Sequence, residues 1–152
     1  MVRGLEIKAM GCVRTVAIAG LMIVSAMLTR AYAGGAVATI DGAQMQAMIA
    51  DGARLIDIRR ADEWQATGIV PGAALITAFD AEGRLDPRFL EEVRTATIKG
   101  QPVILICRSG NRSMKAGALL LGDGGYSSVA SVSGGMNAWI AAGAPVLPCP
   151  NC

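Results

Sequence analysis

The reactive side chains of this chain gather in one short stretch, Cys107-Arg108-Ser109-Gly110-Asn111-Arg112-Ser113. A cysteine attacks as its thiolate, which is generated either by a neighbouring base or by a surrounding positive potential. The chain contains no histidine, so a Cys-His dyad, a Ser-His-Asp triad and every histidine-ligated metal site are excluded. Electrostatic activation remains. A turn rich in glycine and small polar residues aims successive backbone N–H groups inward as an anion nest, and a following helix adds the positive end of its dipole. Arg108 and Arg112 add full charges, and all three effects favour the thiolate of Cys107. Such a loop suits a covalent sulfur carrier. That chemistry needs a thiolate to attack the outer sulfur of an anionic donor, a field that stabilises the departing anion, and a pocket for the persulfide anion that results. The plainer alternative is an inert cysteine buried at a strand end, common for this residue type; the two arginines weigh against it.

The segments around the loop are those that could hold it in place. Pro102-Val103-Ile104-Leu105-Ile106 is the most strand-like run in the chain and delivers Cys107 at its carboxyl end, where ligands collect in open α/β sheets. Ser113–Leu121 reads as the following helix, with Ser113 as its N-cap and, secondarily, a hydrogen-bond partner for the sulfur. Arg54–Asp57 reads as another strand. Arg59, just past its end, points either into the same mouth as a substrate-anion contact or into an ion pair with Asp57 or Glu63; Arg60 faces solvent. Asp41 is an N-cap for a helix whose Met45, Met48 and Ile49 share one face, ended by Gly52. Asp62–Thr67 is a turn of helix around Trp64, and Ala73–Thr77 is extended after Pro71-Gly72. Asp86-Pro87 opens a helix with Phe89, Leu90 and Val93 inward and Glu91 and Glu92 outward. Ser128–Val132 is a strand, and Gly134-Gly135 turns into a last helix through Trp139. Both tryptophans lie in apolar helical patterns and are read as core rather than as stacking platforms. Gly68, Gly72, Gly134 and Gly135 serve backbone geometry. This alternation predicts one α/β domain over residues 34–145, a central, mostly parallel sheet with helices on both faces.

The N-terminal segment has a different character. Arg3, Lys8 and Arg14 precede an uncharged, mostly apolar run from Thr15 to Leu28, and Ala31-Tyr32-Ala33 offers small residues at both positions of a cleavage site. Residues 1–33 read as a secretory signal peptide cut after Ala33; an uncleaved membrane anchor is the alternative, although the run is shorter than the roughly 20 residues of a spanning helix. The segment holds Arg3, Lys8, Arg14 and Arg30 against Glu6, so its removal changes the formal charge by −3, from +2 to −1. No net basic attraction to nucleic acid or to anionic lipid survives. Of the four cysteines, Cys12 lies in the leader. In an oxidising compartment Cys149 and Cys152 form a small disulfide, leaving Cys107 as the odd, reactive thiol.

The stretches Leu55-Ile56-Asp57-Ile58-Arg59 with Glu63-Trp64, Gly68-Ile69-Val70-Pro71-Gly72-Ala73, the Cys107 loop, and Gly134-Gly135 with Trp139 together resemble the rhodanese family in order and spacing, over nearly the whole mature chain. The resemblance implies a rhodanese-like three-layer domain. It further implies that Cys107 becomes persulfidated by a donor such as thiosulfate, that Arg108, Ser109, Gly110, Asn111 and Arg112 cradle the sulfur through backbone amides, and that Arg59 serves the substrate anion or a local ion pair. Phosphatases that resemble this fold place five residues between cysteine and arginine; here four intervene, the shorter, sulfur-sized spacing. The implied enzyme is a periplasmic thiosulfate sulfurtransferase with no cofactor and no metal. Its partners are a small anionic donor and a thiol or dithiol acceptor, without nucleic acid and without stable membrane association once the leader is removed. Residues 146–152 depart from the family pattern: Cys149-Pro150-Asn151-Cys152 is half a zinc site at best, and reads as a disulfide or as a flexible acceptor or resolving dithiol for the Cys107 persulfide. A noncatalytic binding module and a thiol-disulfide redox protein working through Cys149 and Cys152 are the alternatives.

Overall fold

The computed structural model describes residues 35–152. The expected leader, its cleavage site at Ala31–Ala33 and Cys12 lie outside them. Among the described residues no helix is long and apolar enough to cross a membrane.

Five strands and five helices alternate along the chain: β1 (Ala38–Ile40), α1 (Gly42–Ala50), β2 (Arg54–Asp57), α2 (Ala61–Thr67), β3 (Ala74–Leu75), α3 (Phe89–Ala96), β4 (Val103–Ile106), α4 (Asn111–Leu121), β5 (Val129–Val132) and α5 (Gly135–Ala141). The strands form one sheet in the order β1-β5-β4-β2-β3, and every pairing in it is parallel. A parallel sheet is covered on both faces, so its strands are apolar on both sides. In β4, Val103 and Leu105 enter one core cluster with Phe89 and Val93 of α3 and Ala116 and Leu120 of α4. Ile104 and Ile106 enter the other, with Met45 of α1 and Met136 and Trp139 of α5. The two-residue repeat of a strand thus separates two cores, and the three layers follow from it.

The sheet order also fixes where a site can form. From β2 the chain moves outward to β3, whereas from β4 it moves the other way to β5. Between β2 and β4 lies a switch point, whose crevice opens at the carboxyl ends of the strands. Asp57 pairs in register with Ile106, and Ile58 N–H donates to the Ile106 carbonyl at 2.9 Å. Arg59 and Cys107 therefore emerge side by side.

Local sequence accounts for most of the element ends. Asp41 caps α1 through a capping box: its carboxylate accepts from Gln44 N at 2.8 Å, and Gln44 Oε1 accepts from Asp41 N at 2.9 Å. Met45 is buried, but Ile49 is 37% exposed, so α1 is held by a narrower apolar stripe than the spacing suggests. α3 begins at Phe89 rather than at Pro87. The Asp86 carboxylate accepts from Arg88 N at 2.8 Å and the Asp86 carbonyl from Phe89 N at 3.0 Å, which closes a separate turn ahead of the helix.

Gly134 and Gly135 set how closely α5 approaches the Cys107 loop. Both have positive φ, 68° and 55°. A Cβ at Gly135 would collide with the Cys107 carbonyl oxygen and come within 2.8 Å of Arg108 C and Ser109 N. The bare backbone lets Met136 N donate to the Cys107 carbonyl at 2.8 Å and Asn137 N to the Arg108 carbonyl at 3.1 Å. Gly135→Ala is therefore expected to lower the unfolding free energy by about 2 kcal/mol or more, because an unfavourable φ and an overpacked backbone contact add. Urea denaturation measures this, and an unchanged midpoint would contradict the close approach.

Candidate active site

β4 ends at Ile106 and hands over Cys107, which is 1% exposed. Gly110, at φ 96°, turns the chain back on itself in the left-handed region that glycine alone enters freely. That turn brings Gly110 N to 3.1 Å from Cys107 Sγ as a donor. It also serves as the N-cap of α4, which starts at Asn111. The start of the eleven-residue α4 therefore lies against the sulfur, with the positive end of the helix dipole toward it.

Because α4 starts two residues earlier than expected, Ser113 is not its cap. It lies inside the first turn, buried, and its hydroxyl donates to the Gly110 carbonyl at 2.9 Å. Ser113 Oγ also lies 3.4 Å from Cys107 Sγ. Beneath it Ser131 of β5 approaches Ser113 Oγ at 2.6 Å and reaches the Gly110 carbonyl at 3.4 Å. Each hydroxyl has one proton. With Ser113 donating to the Gly110 carbonyl, Ser131 donates to Ser113. Ser131 escaped the sequence reading; its only signal is a lone hydroxyl in the otherwise apolar run Val129-Ala130-Ser131-Val132.

Arg112 is half-buried. Its guanidinium clasps Glu63 of α2 through two bonds, Nη2 to Oε1 at 2.6 Å and Nη1 to Oε2 at 2.8 Å. Glu63 Oε2 also accepts from Arg60 N at 3.1 Å. Burial alone would raise the Glu63 carboxyl, but the Arg112 hydrogen bonds, the Arg60 amide and the charges of both arginines hold it below its ordinary value. Arg112 is correspondingly raised, first by the Glu63 hydrogen bonds, against burial, with the negative charge on Glu63 and then on Cys107 adding.

Glu63 therefore pairs with Arg112 and not with Arg59, to which it offers only its backbone carbonyl. Arg59 is 2% exposed. Its Nε donates to Asp57 Oδ1 at 2.9 Å, and Nη2 donates to Asp57 Oδ2 and to the Gly68 carbonyl, each at 2.7 Å. Nη1 donates to the Glu63 carbonyl at 3.2 Å and to Thr67 Oγ1 at 2.6 Å. These bonds use all five guanidinium N–H groups. None is left for a substrate anion, so of the two roles expected of Arg59 the geometry fits the ion pair. Arg60 is half-buried and pairs with Asp62; Trp64 and Trp139 are buried.

Arg108, Ser109 and Asn111 lie exposed on the outer side of the loop. Arg108 stands between two clefts. One, of about 290 Å³, also takes in Ala66, Met136, Asn137 and Ile140. The other, of about 400 Å³, takes in Arg60, Asp80, Ser109 and Arg112. A further cleft of about 410 Å³, lined by Arg94, Lys99 and Tyr126, lies at the amino ends of the strands, far from Cys107 in the fold. Cys149 and Cys152 form the expected disulfide. The tail that carries it is docked rather than free: Ile69 and Leu147 exchange backbone bonds at 2.9 Å.

The arrangement can hold an anion on Cys107 without a base, offer Arg108 to an incoming anion, and lock the loop from below. The sequence profile described as the Rhodanese-like domain matches residues 41–142. Thiosulfate sulfurtransferase GlpE of Pseudomonas savastanoi pv. phaseolicola is 34% identical over 100 residues, 63% of this chain and 80% of that protein. The mitochondrial protein HIGH ARSENIC CONTENT 1 of Arabidopsis thaliana is 31% identical over 109 residues, 70% of this chain; the match spans 64% of that relative's length. A crystal structure of a protein from M. tuberculosis superposes with a TM-score of 0.63 at 26% identity, covering 75% of this chain and 99% of that one.

The Glu63–Arg112 pair yields a pH test. A carboxyl whose folded value is depressed stabilises the fold above its unfolded value and loses that contribution as pH falls through the folded one. Glu63→Gln keeps the shape but removes the charge. It is expected to cost about 1–3 kcal/mol near pH 7, and the difference from wild type is expected to shrink as pH falls from about 5 to about 3. Denaturation midpoints across that range measure it; a pH-independent difference would contradict the pairing.

Proposed function

The chain belongs to the rhodanese-like sulfurtransferase family, and from that premise we propose that it moves sulfane sulfur from thiosulfate, or a similar small anionic donor, to a thiol acceptor through a persulfide on Cys107. The observation that carries this reading is the setting of Cys107 Sγ, buried at the end of β4 and bonded by the Gly110 amide at the start of α4.

The reaction uses these groups in order. The Cys107 thiolate attacks the outer sulfur of thiosulfate, a new S–S bond forms, the old one breaks, and sulfite leaves with its electron pair. The persulfide anion then occupies the space over the loop, where the Gly110 amide and the helix end stabilise it as they stabilised the thiolate. Arg108, exposed between the two clefts, draws the donor in and balances the sulfite charge. Arg112, clasped by Glu63 through two of its N–H groups, fixes the loop. An acceptor thiolate attacks the outer sulfur and restores Cys107. The leader reading and the tail disulfide support work in an oxidising compartment such as a periplasm.

Two outcomes are expected. The intact mass of the protein with its tail disulfide closed gains one sulfur on treatment with thiosulfate and loses it to cyanide, whereas Cys107→Ser gains none; failure of any donor to load folded wild-type protein in that state would overturn the proposal. Arg108→Ala is expected to raise KM for thiosulfate about tenfold, an effect of about 1.4 kcal/mol, with a smaller change in kcat. Initial rates at low and moderate salt check this, because a charge at an exposed mouth acts most strongly at low ionic strength.

A further inference from the structure

The C-terminal tail carries sulfur chemistry that the proposed transfer leaves unused. Cys149 and Cys152 close a disulfide across Pro150 and Asn151, with a Cα–Cα distance of 5.5 Å, and both are half-buried rather than enclosed. Three anchors fix where the tail runs. Trp139 Nε1 of α5 donates to the Pro145 carbonyl at 2.9 Å. Ile69, just past α2, pairs with Leu147 in both directions at 2.9 Å. Gln65 Nε2 of α2 donates to the carbonyl of Cys152 at 3.0 Å. Gly68 makes room for this path, since a Cβ there would lie 2.7 Å from the Leu147 carbonyl oxygen.

The anchoring helices also wall the smaller of the two clefts beside Arg108, to which α2 contributes Asp62 and Ala66, and α5 contributes Met136 and Ile140. Gln65 lies three residues from Asp62 on α2, so the two are surface neighbours. Cys152 is thus docked on the same helix that walls the cleft beside Arg108. Beyond the Leu147 anchor, the last five residues can span up to about 17 Å when extended.

We propose that this cysteine pair, in its reduced form, is a built-in acceptor for the Cys107 persulfide, which makes the protein a persulfide reductase that releases sulfide. The inference rests on the persulfide reading of Cys107. In the first step the Cys152 thiolate attacks the outer sulfur of Cys107–S–SH; a bond to Cys152 forms, the bond to Cys107 breaks, and Cys107 leaves as the thiolate. Cys149 then loses its proton to solvent and attacks the Cys152 sulfur, closing the tail disulfide and expelling HS⁻. The tail is oxidised by two electrons and the sulfane sulfur is reduced to sulfide. An external dithiol reductant returns the tail to its starting state.

The test uses the full reduced chain, freed of reductant under anaerobic conditions and given one equivalent of thiosulfate. Wild type is expected to release sulfite and then a matching amount of sulfide, to finish with the tail disulfide closed, and to do so at a first-order rate independent of protein concentration. The Cys149→Ser/Cys152→Ser variant is expected to release sulfite, to keep the extra sulfur on Cys107 and to yield no sulfide. Cys107→Ser is expected to release neither. Wild type that keeps a stable Cys107 persulfide beside two free tail thiols would overturn the inference while leaving the transfer chemistry intact, and so would sulfide release whose rate constant grows with protein concentration. Absence of sulfite from the tail variant would overturn both readings together.

Discussion

An anion withdrawn from water has to be solvated by something else, and in a chain without histidine the burden at Cys107 falls on backbone. The sulfur is almost completely enclosed, yet it receives an amide from Gly110 and stands at the start of α4. Amides and a helix end are weak ligands individually and act only when they are aimed. Much of the structure around the site can be understood as the means of aiming them. Gly110 takes a left-handed turn, Gly134 and Gly135 let α5 bind the loop carbonyls at contact distance, and Ser113 and Ser131 hold the Gly110 carbonyl from beneath.

The charged side chains divide the work of holding that loop. Asp57 and Arg59 form a fully buried pair. Such pairs contribute little net stability once desolvation is counted. Here the guanidinium gathers the Glu63 carbonyl, Thr67 and the Gly68 carbonyl around β2's end, which sets the position of α2. From α2, Glu63 reaches Arg112 and fixes the far side of the cysteine loop. One line of contacts therefore runs from the sheet through Arg59 and α2 to the loop, and it extends through Gly68, Ile69 and Gln65 to the tail. Arg108 stands exposed at the mouth between the two clefts, and Arg60 and Arg112 line the larger one with it.

Much of this was legible in the sequence because it depends on local chemistry. The apolar run before Cys107, the glycine-bearing turn after it, the Asp41 cap and the burial of both tryptophans all follow from near neighbours. The unread parts depend on distance along the chain. Glu63 and Arg112 are 49 residues apart and meet because β2 and β4 are adjacent in the sheet, and Ser131 reaches the site because β5 lies on the other side of β4. Charge alone did not say which arginine takes Glu63. Ser113 resembles a cap by type, but the left-handed Gly110 starts the helix earlier and draws the serine inside. The tail contains no helix or strand pattern, and its docking arises from a backbone pairing with Ile69 that side-chain type does not announce.

The most direct test of the central claim, that backbone aimed by this framework holds a sulfur anion on Cys107, is a crystal structure of thiosulfate-treated protein. One additional sulfur is expected about 2.05 Å from Cys107 Sγ, within hydrogen-bonding distance of amides in the Arg108–Arg112 segment, with Glu63 and Arg112 still joined. An unmodified Cys107, or an added sulfur pointing away from the loop amides, would contradict it.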